Sequence, residues 1–517
     1  MVVRWASFFF TLFLTVSALA YEEKGPSLQS IYTSLDPSSV AQHFAFYELY
    51  PDTALGKRAL RHAWDLLQGG QIKEMTLPAA QIQQMISFVN RNPSANEGMT
   101  LNDAELETIS NLARHLHNRK LKGFGIWNPK EVEAMQPDEI DLARGLFLAE
   151  MEEDTPEARK KIQSYEANMD LMALQILARL PQNATAQEKI RAISDFVFTE
   201  MRFRFPPHSL YAKDIDVYTL LPSVLDSRRG VCLGVSILYL CLAQRLDLAL
   251  EAVTPPGHIF VRHVDPDTQE IINIETTARG IDIPSEAYLG IETPSLQTRS
   301  IKDVIALAFQ NQASVSWHRS DSAATIALYE KALRYLPNDY LIEMFLGFNY
   351  LFAGRIEEGK ALLKKIQGSR PSHFLCSDTV SEDYLSGKTD PEGIEAVFQM
   401  VDETRASILE KQKKLEEIVK KFPKFRQGIL HLAITHLQLG REKEALPILE
   451  RYIKLHQKDP TVNYYLSAIH FQRFNFSMAW RYLHQAEKIL TAHNHAPKAL
   501  KELRSALLRA CPEPNAT

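Results

Sequence analysis

The chain has 517 residues, 45% of them hydrophobic and 23% charged, and its 58 Lys and Arg against 63 Asp and Glu leave a net charge of −5. A chain of that length and apolar content builds about three or four domains, and a mildly acidic balance without a basic stripe argues against nucleic acid as a partner. Four cysteines with no CxxC pair exclude the usual zinc frameworks, so neither a metal nor a cofactor is expected. Cys376 and Cys511 are either bridged, as an oxidising compartment permits, or both free.

Met1 to Ala20 carries one charge, Arg4, then an apolar run from Ala6 that ends Ala18-Leu19-Ala20. A basic start, a short apolar centre and a small-residue end make a secretory signal peptide over 1–20. The run is shorter than the about 20 apolar residues a membrane span needs, and no later stretch approaches that length. The mature protein is therefore expected to be exported, with no membrane span after cleavage. Residues 21–185 read as an all-α region, interrupted near Gly69-Gly70, Asn92-Pro93 and Lys122-Gly123. Asn102 and Glu105 form a capping box ahead of Ile109, Leu112 and Leu116. Leu142 to Leu180 is a second helical region.

The next segment, 186–299, holds the residues that carry chemistry. Ala186 to Met201 reads as an amphipathic helix that opens it, followed by an irregular Pro- and aromatic-rich loop from Phe203 to Tyr218. Tyr211 and Tyr218 either line a cleft, donate to an oxyanion or merely pack; packing is the expected role. Gly230 then ends a loop, and Val235, Leu238, Leu242 and Leu246 repeat at helical spacing, so a helix begins near Cys232. A thiol attacks only as thiolate, and a helix N-terminus supplies orphan N–H groups and the positive end of the macrodipole. Those N–H groups also suit the oxyanion of a tetrahedral intermediate. Cys241 lies nine positions on, half a turn round the helix, and is expected in the core.

Asp265-Pro266-Asp267-Thr268 is a turn signal between two strand-like runs, HIFVRHV and QEIINIE. With Pro266-Asp267 as the loop, His258 stands directly opposite Glu275, close enough for the carboxylate to fix the imidazole tautomer. A slip of one residue would send Glu275 to the other face. His263 points to the opposite face of its strand from His258, and His208 falls in the preceding loop, so neither is the expected base. A helix-start cysteine or a strand histidine alone is more often a packing residue. In this order and spacing Cys232, His258 and Glu275 are the candidate nucleophile, base and orienting acid.

Gly230-Val231-Cys232 ahead of a helix, His258-Ile259-Phe260, and Ile274-Glu275-Thr276-Thr277 resemble the Cys, His and Asp boxes of the transglutaminase-like superfamily, a branch of papain-like thiol enzymes. The resemblance spans roughly residues 186–288 and is nearest to bacterial transglutaminase-core proteins. It departs at Phe260, where many members have tryptophan, and at Glu275, where aspartate is usual. It implies an α+β core, a peptide or protein substrate attacked at an amide acyl group, and a periplasmic or secreted location at a bacterial cell envelope. Many relatives lack the cysteine, so a catalytically inactive adaptor is the alternative.

Beyond residue 300 a period of 34 appears. Leu346-Gly347 with Tyr350, Leu432-Ala433 with His436, and Leu466-Ser467 with His470 share one pattern, and Tyr329, Ala332 and Pro337 complete it. These residues resemble the tetratricopeptide repeat, with units at 306–339, 340–373, 426–459 and 460–493. Repeats therefore occupy 300–373 and, with a terminal helix, 426–510, and an insert or divergent repeat fills 374–425. Within the insert, Ser377 to Asp390 reads as loop and Ile394 to Lys421 as one helix with a solvated Lys/Glu face. The tail from Cys511 is expected to fray. The fold class is thus an α+β transglutaminase-like core with an all-α N-terminal region and a C-terminal α-solenoid, mostly α overall. The resemblance implies a protein partner on the repeat groove, or an array that only braces the core.

Overall fold

The computed structural model describes residues 26–69, 82, 83, 85, 86, 89, 101–151, 154–206, 215–371, 373–375, 379–402 and 404–513. The expected signal peptide, the Asn92-Pro93 break, His208, Tyr211 and Cys376 lie outside the described residues. Among those described, helices dominate and the strands form a single four-stranded antiparallel sheet in the order β3-β2-β1-β4.

The N-terminal region is helical, and its capping box forms as expected, with Asn102 accepting from Glu105 N–H and Glu105 accepting from Asn102 N–H. The stretch expected as one helical region after Leu142 is two helices, Leu142–Glu150 and Pro156–Leu177, separated where Thr155 caps the second and Pro156 opens it. The longer helix is buried nearly all round from Ile162 to Ile176, which places it inside the core rather than on its surface. Its charges are paired there. Arg144 grips Glu166 through two 2.7 Å hydrogen bonds, and Asp170 takes Arg119 and, at 2.8 Å, Arg245. Arg245 closes the helix Cys232–Arg245, so this ion pair locks the N-terminal region to the cysteine helix. One hydrophobic cluster runs without interruption from Val40 through the sheet to Tyr350. The changes of element type near 185 and 299 are therefore not gaps in packing.

The sheet comprises β1 (Glu251–Thr254), β2 (Phe260–Val264), β3 (Ile271–Ile274) and β4 (Gln297–Arg299). The hairpin register differs from the expected one. Val261 pairs with Ile274 and Val264 with Ile271, and Asp265 N–H donates to Glu270 O at 2.9 Å. The loop therefore holds four residues, 266–269, not two. Asp265 causes this, since its Oδ1 accepts from the N–H groups of Asp267 (3.0 Å) and Thr268 (2.7 Å) while Gln269 turns back at φ +59. Continued past the strand ends, this register would oppose Glu275 to Phe260, not to His258. The shift is an even number of residues, so the facing parity survives.

The repeat helices pair as Ile301–His318 with Ser322–Tyr335, Tyr340–Phe352 with Ile356–Ile366, Arg426–Gln438 with Glu442–Leu455, and Pro460–Gln472 with Phe476–Thr491. Ser320, Gly354, Gly440 and Phe474, all at positive φ, occupy the same turn position in the four pairs. The insert corrects three expectations. The supposed loop contains a helix, Thr379–Leu385, because buried Asp383 accepts from Arg426 N–H at 2.9 Å and pairs with Lys388 at 3.2 Å. The supposed single helix is two, Pro391–Phe398 and Arg405–Lys421. Lys411, expected on a solvated face, is buried instead. Its Nζ donates to Val397 O and Gln399 O at 2.8 Å each, capping the first helix. The start of the tail does not fray: Cys511 O accepts from Trp480 Nε1 and Glu513 meets His484 at 2.8 Å.

Candidate active site

The loop before Cys232 is fixed on both sides. Arg204 N–H donates to Arg228 O (3.0 Å) and Gly230 N–H to Arg204 O (3.1 Å), while Val231 N–H donates to Tyr218 O. The same Tyr218 carbonyl lies over the first turn of the cysteine helix, where a Cβ on Gly234 would come within 2.1 Å of it. Only glycine admits that approach. Tyr218 thus contributes its backbone. Cys232 is the first residue of the helix, part-exposed, behind an N-cap (Val231) that makes no side-chain capping bond. Its first-turn N–H groups keep the orphan character of an uncapped terminus.

His258 follows the β1–β2 turn, where Gly257 takes φ +69, and Glu275 follows the last residue of β3 and caps the short turn Thr276–Ala278. Both therefore emerge at one end of the sheet. The His258 Nε2–Glu275 Oε2 distance is 2.7 Å. The pairing expected from sequence is present although the register is not, because a turn residue and a strand end reach across the two-residue offset. With Nε2 donating to the carboxylate, Nδ1 is the ring nitrogen left for the thiol, and Cys232 is close enough to His258 to shift its protonation. The structure brings all three expected residues together.

Three further side chains, Tyr288, Thr277 and Ser236, complete the site. Glu275 Oε2 also accepts from the Tyr288 hydroxyl at 2.6 Å, and Oε1 accepts from Thr277 N–H (3.0 Å) and Oγ1 (2.6 Å). Tyr288 stacks on Phe260, with ring centroids 4.3 Å apart, and lies nearly parallel to His258 at 6.1 Å. Ser236 on the cysteine helix bonds Thr276 at 3.0 Å, tying that helix to the residue after Glu275. Sequence reasoning missed Tyr288, Thr277 and Ser236 as partners. Thr277 belongs to the quoted acid box, whereas nothing in Ser285-Glu286-Ala287-Tyr288 marks the tyrosine.

The electrostatics follow from these contacts. Burial opposes protonation of His258, but its bonds to Cys232 and Glu275, and their charges, override it and push the imidazole up to about 10. Burial likewise opposes ionisation of Glu275, yet the bonds from His258, Thr277 and Tyr288 hold its carboxyl down to about 2. Burial, then the bond to Glu275, push the Tyr288 hydroxyl up, keeping it a donor. The rival residues are elsewhere: Cys241 is fully buried, and burial pushes its thiol up, while His263 is buried with Nδ1 on Ala249 O. Cys511 is free. A groove of about 700 Å³ between Trp317 and the helices over 391–421 does not include the triad.

Residues 163–287 match the family model described as the transglutaminase-like superfamily. That stretch is transglutaminase-like. The match begins inside the helix Pro156–Leu177, ahead of the residue 186 expected from sequence. No curated protein matches the chain. Similar solved structures include a thermophilic TPR protein of Thermus thermophilus, with 17% identity, 39% of this chain and 99% of that one covered, and a TM-score of 0.21. Another is MamA from Desulfovibrio magneticus, with 12% identity, 36% and 96% covered, and a TM-score of 0.18. Likeness at that level carries no weight, and the tetratricopeptide-like assignment rests on the four helix pairs and their common turn.

Proposed function

We propose that this is an exported thiol enzyme that attacks an amide acyl group of a peptide or protein. The observation that carries the reading is Cys232 at an uncapped helix start beside a histidine whose far nitrogen is held by a buried carboxylate. In this mechanism Cys232 Sγ attacks the carbonyl carbon, and the first-turn N–H groups stabilise the oxyanion. His258, which its partners keep protonated at neutral pH, faces sulfur as an imidazolium and gives its Nδ1 proton to the leaving amine, while Glu275, held by Tyr288 and Thr277, fixes the orientation of the ring. The thioester then passes its acyl group to water or to an amine. Hydrolysis is the preferred outcome, since water is always present. The repeats supply a surface for a peptide or protein partner.

The second reading is a non-catalytic envelope adaptor, favoured by a groove of about 700 Å³ on the repeat and insert helices, away from Cys232. Incubation with an electrophilic amide-like probe, followed by mass-spectrometric mapping of the adduct, separates the two. The enzyme reading expects modification at Cys232 that is lost in His258→Ala. An adduct elsewhere, or labelling indifferent to His258, leaves the adaptor.

A further inference from the structure

The polypeptide leaves Tyr288 as a loop that the far end of the chain takes hold of. Gly290 O accepts from Nε2 of buried His495 at 2.8 Å. Glu292 O accepts from Leu375 N–H at 2.9 Å, and Glu292 Oε1 accepts from the Thr461 hydroxyl at 2.9 Å. Ile291, between them, packs against the separate apolar cluster that contains Trp480, Leu483 and Leu490. Every one of these contacts comes from the insert, the last repeat or the segment after it, and none from the cluster that holds the cysteine helix. A loop held this way at three successive residues is fixed in position, and the fixed end begins two residues after Tyr288.

We infer that the last repeat and the segment following it form an internal clamp, whose ligand is the chain's own Gly290–Glu292 segment. The clamp makes Tyr288 a positioning residue for the Glu275–His258 pair. Among the described residues, the Tyr288 side chain is held by stacking on Phe260 and His258 and by its bond to Glu275. Without an anchored downstream loop its hydroxyl would leave Oε2, and water would reach the proton shared by His258 and Glu275. The array thus acts in cis on the site, whatever else its remaining surface binds.

The inference rests on the role proposed for Glu275 and His258, but its test uses no substrate. Two quantities are read on the full chain: amide hydrogen exchange of residues 285–293, and exchange with water of the His258 Nε2 proton in protein labelled with ¹⁵N-histidine. Glu292→Ala combined with His495→Ala is expected to raise both by about tenfold or more. Tyr288→Phe should raise the second, and adding the clamp substitutions to it should raise that second rate no further. Should the double variant fail to fold, Thr461→Val, which removes only the hydroxyl on Glu292, carries the same comparison at smaller amplitude. The clamp is refuted if loop exchange stays at the wild-type rate. It is equally refuted if the loop loosens while the His258 proton keeps its wild-type protection. Failure of Cys232 to take the amide-like probe would remove the enzyme and leave the clamp to be judged on these two rates alone.

Discussion

The hydrogen bond between His258 and Glu275 can be weighed by a double-mutant cycle, His258→Ala, Glu275→Gln and both together. The carboxylate side chain is 5% exposed and the imidazole 27%. Breaking a fully buried pair costs about 3–5 kcal/mol, but the partly wet ring lowers this toward the about 1.5–3 kcal/mol of a charge-assisted hydrogen bond. The pH must be chosen with the signs in view. His258 is raised from 6.5 to about 10, so its contribution is complete below 6.5 and is lost as pH climbs through 10. Glu275 is lowered from 4.5 to about 2, so its contribution is complete above 4.5 and is lost as pH falls through 2. Both are complete between those limits, and pH 5.5 is the working condition. Native-state hydrogen exchange of the buried amides in Cys232–Arg245 reads the local stability, avoiding the assumption that a chain of several units unfolds in one step. A coupling of about 1.5–3 kcal/mol is expected. Additivity to within about 0.5 kcal/mol at pH 5.5 would refute the pair.

Phe474 is 80% exposed and held at φ +60, the turn position where two other repeats place glycine. Phe474→Gly should therefore stabilise the last repeats by about 1 kcal/mol, seen as a higher urea midpoint at unchanged slope. Asp170 lies between Arg119 and Arg245, so Asp170→Ala should strand two cations and cost about 3–5 kcal/mol, read as loss of exchange protection in both helices it joins. Glu150 keeps some exposure as a residue, yet its Oε1 is buried without a hydrogen-bond partner among the described residues, and burial raises its carboxyl from 4.5 to about 7. The raised value means the fold is favoured below 4.5 and is destabilised by ionisation as pH rises through 7. Glu150→Gln should then gain about 1–3 kcal/mol at pH 8 and nothing at pH 4, a pH-independent difference being the refuting result. Cys241 should resist alkylation in the folded protein and label only on unfolding, while part-exposed Cys232 labels natively; equal rates would contradict the burial described.

The hairpin and the insert show how far sequence reasoning reached. Alternation and a turn signal located both strands and put His258 and Glu275 on one face, yet the turn came out two residues short. The missing information was local: an aspartate that prefers to bond two following N–H groups rather than close a tight loop. In the insert, the polar run read as loop folds because Asp383 is buried against Arg426, 43 residues away. No window of sequence contains that partner.

What the sequence settles here is whatever depends on neighbours within a turn or two: the helix that starts at Cys232, the strands that flank Asp265, the capping box at Asn102, and the 34-residue phase of the repeats. Spacing along one element is encoded by periodicity, and periodicity is visible without coordinates. Tertiary structure alone decides that Tyr288 donates to Glu275, that Asp170 joins the N-terminal region to the cysteine helix, and that Thr461 and His495 grip the loop beside the site. Those contacts bring together residues far apart in the chain, and their energy comes from burial and hydrogen bonding that exist only once the elements have packed.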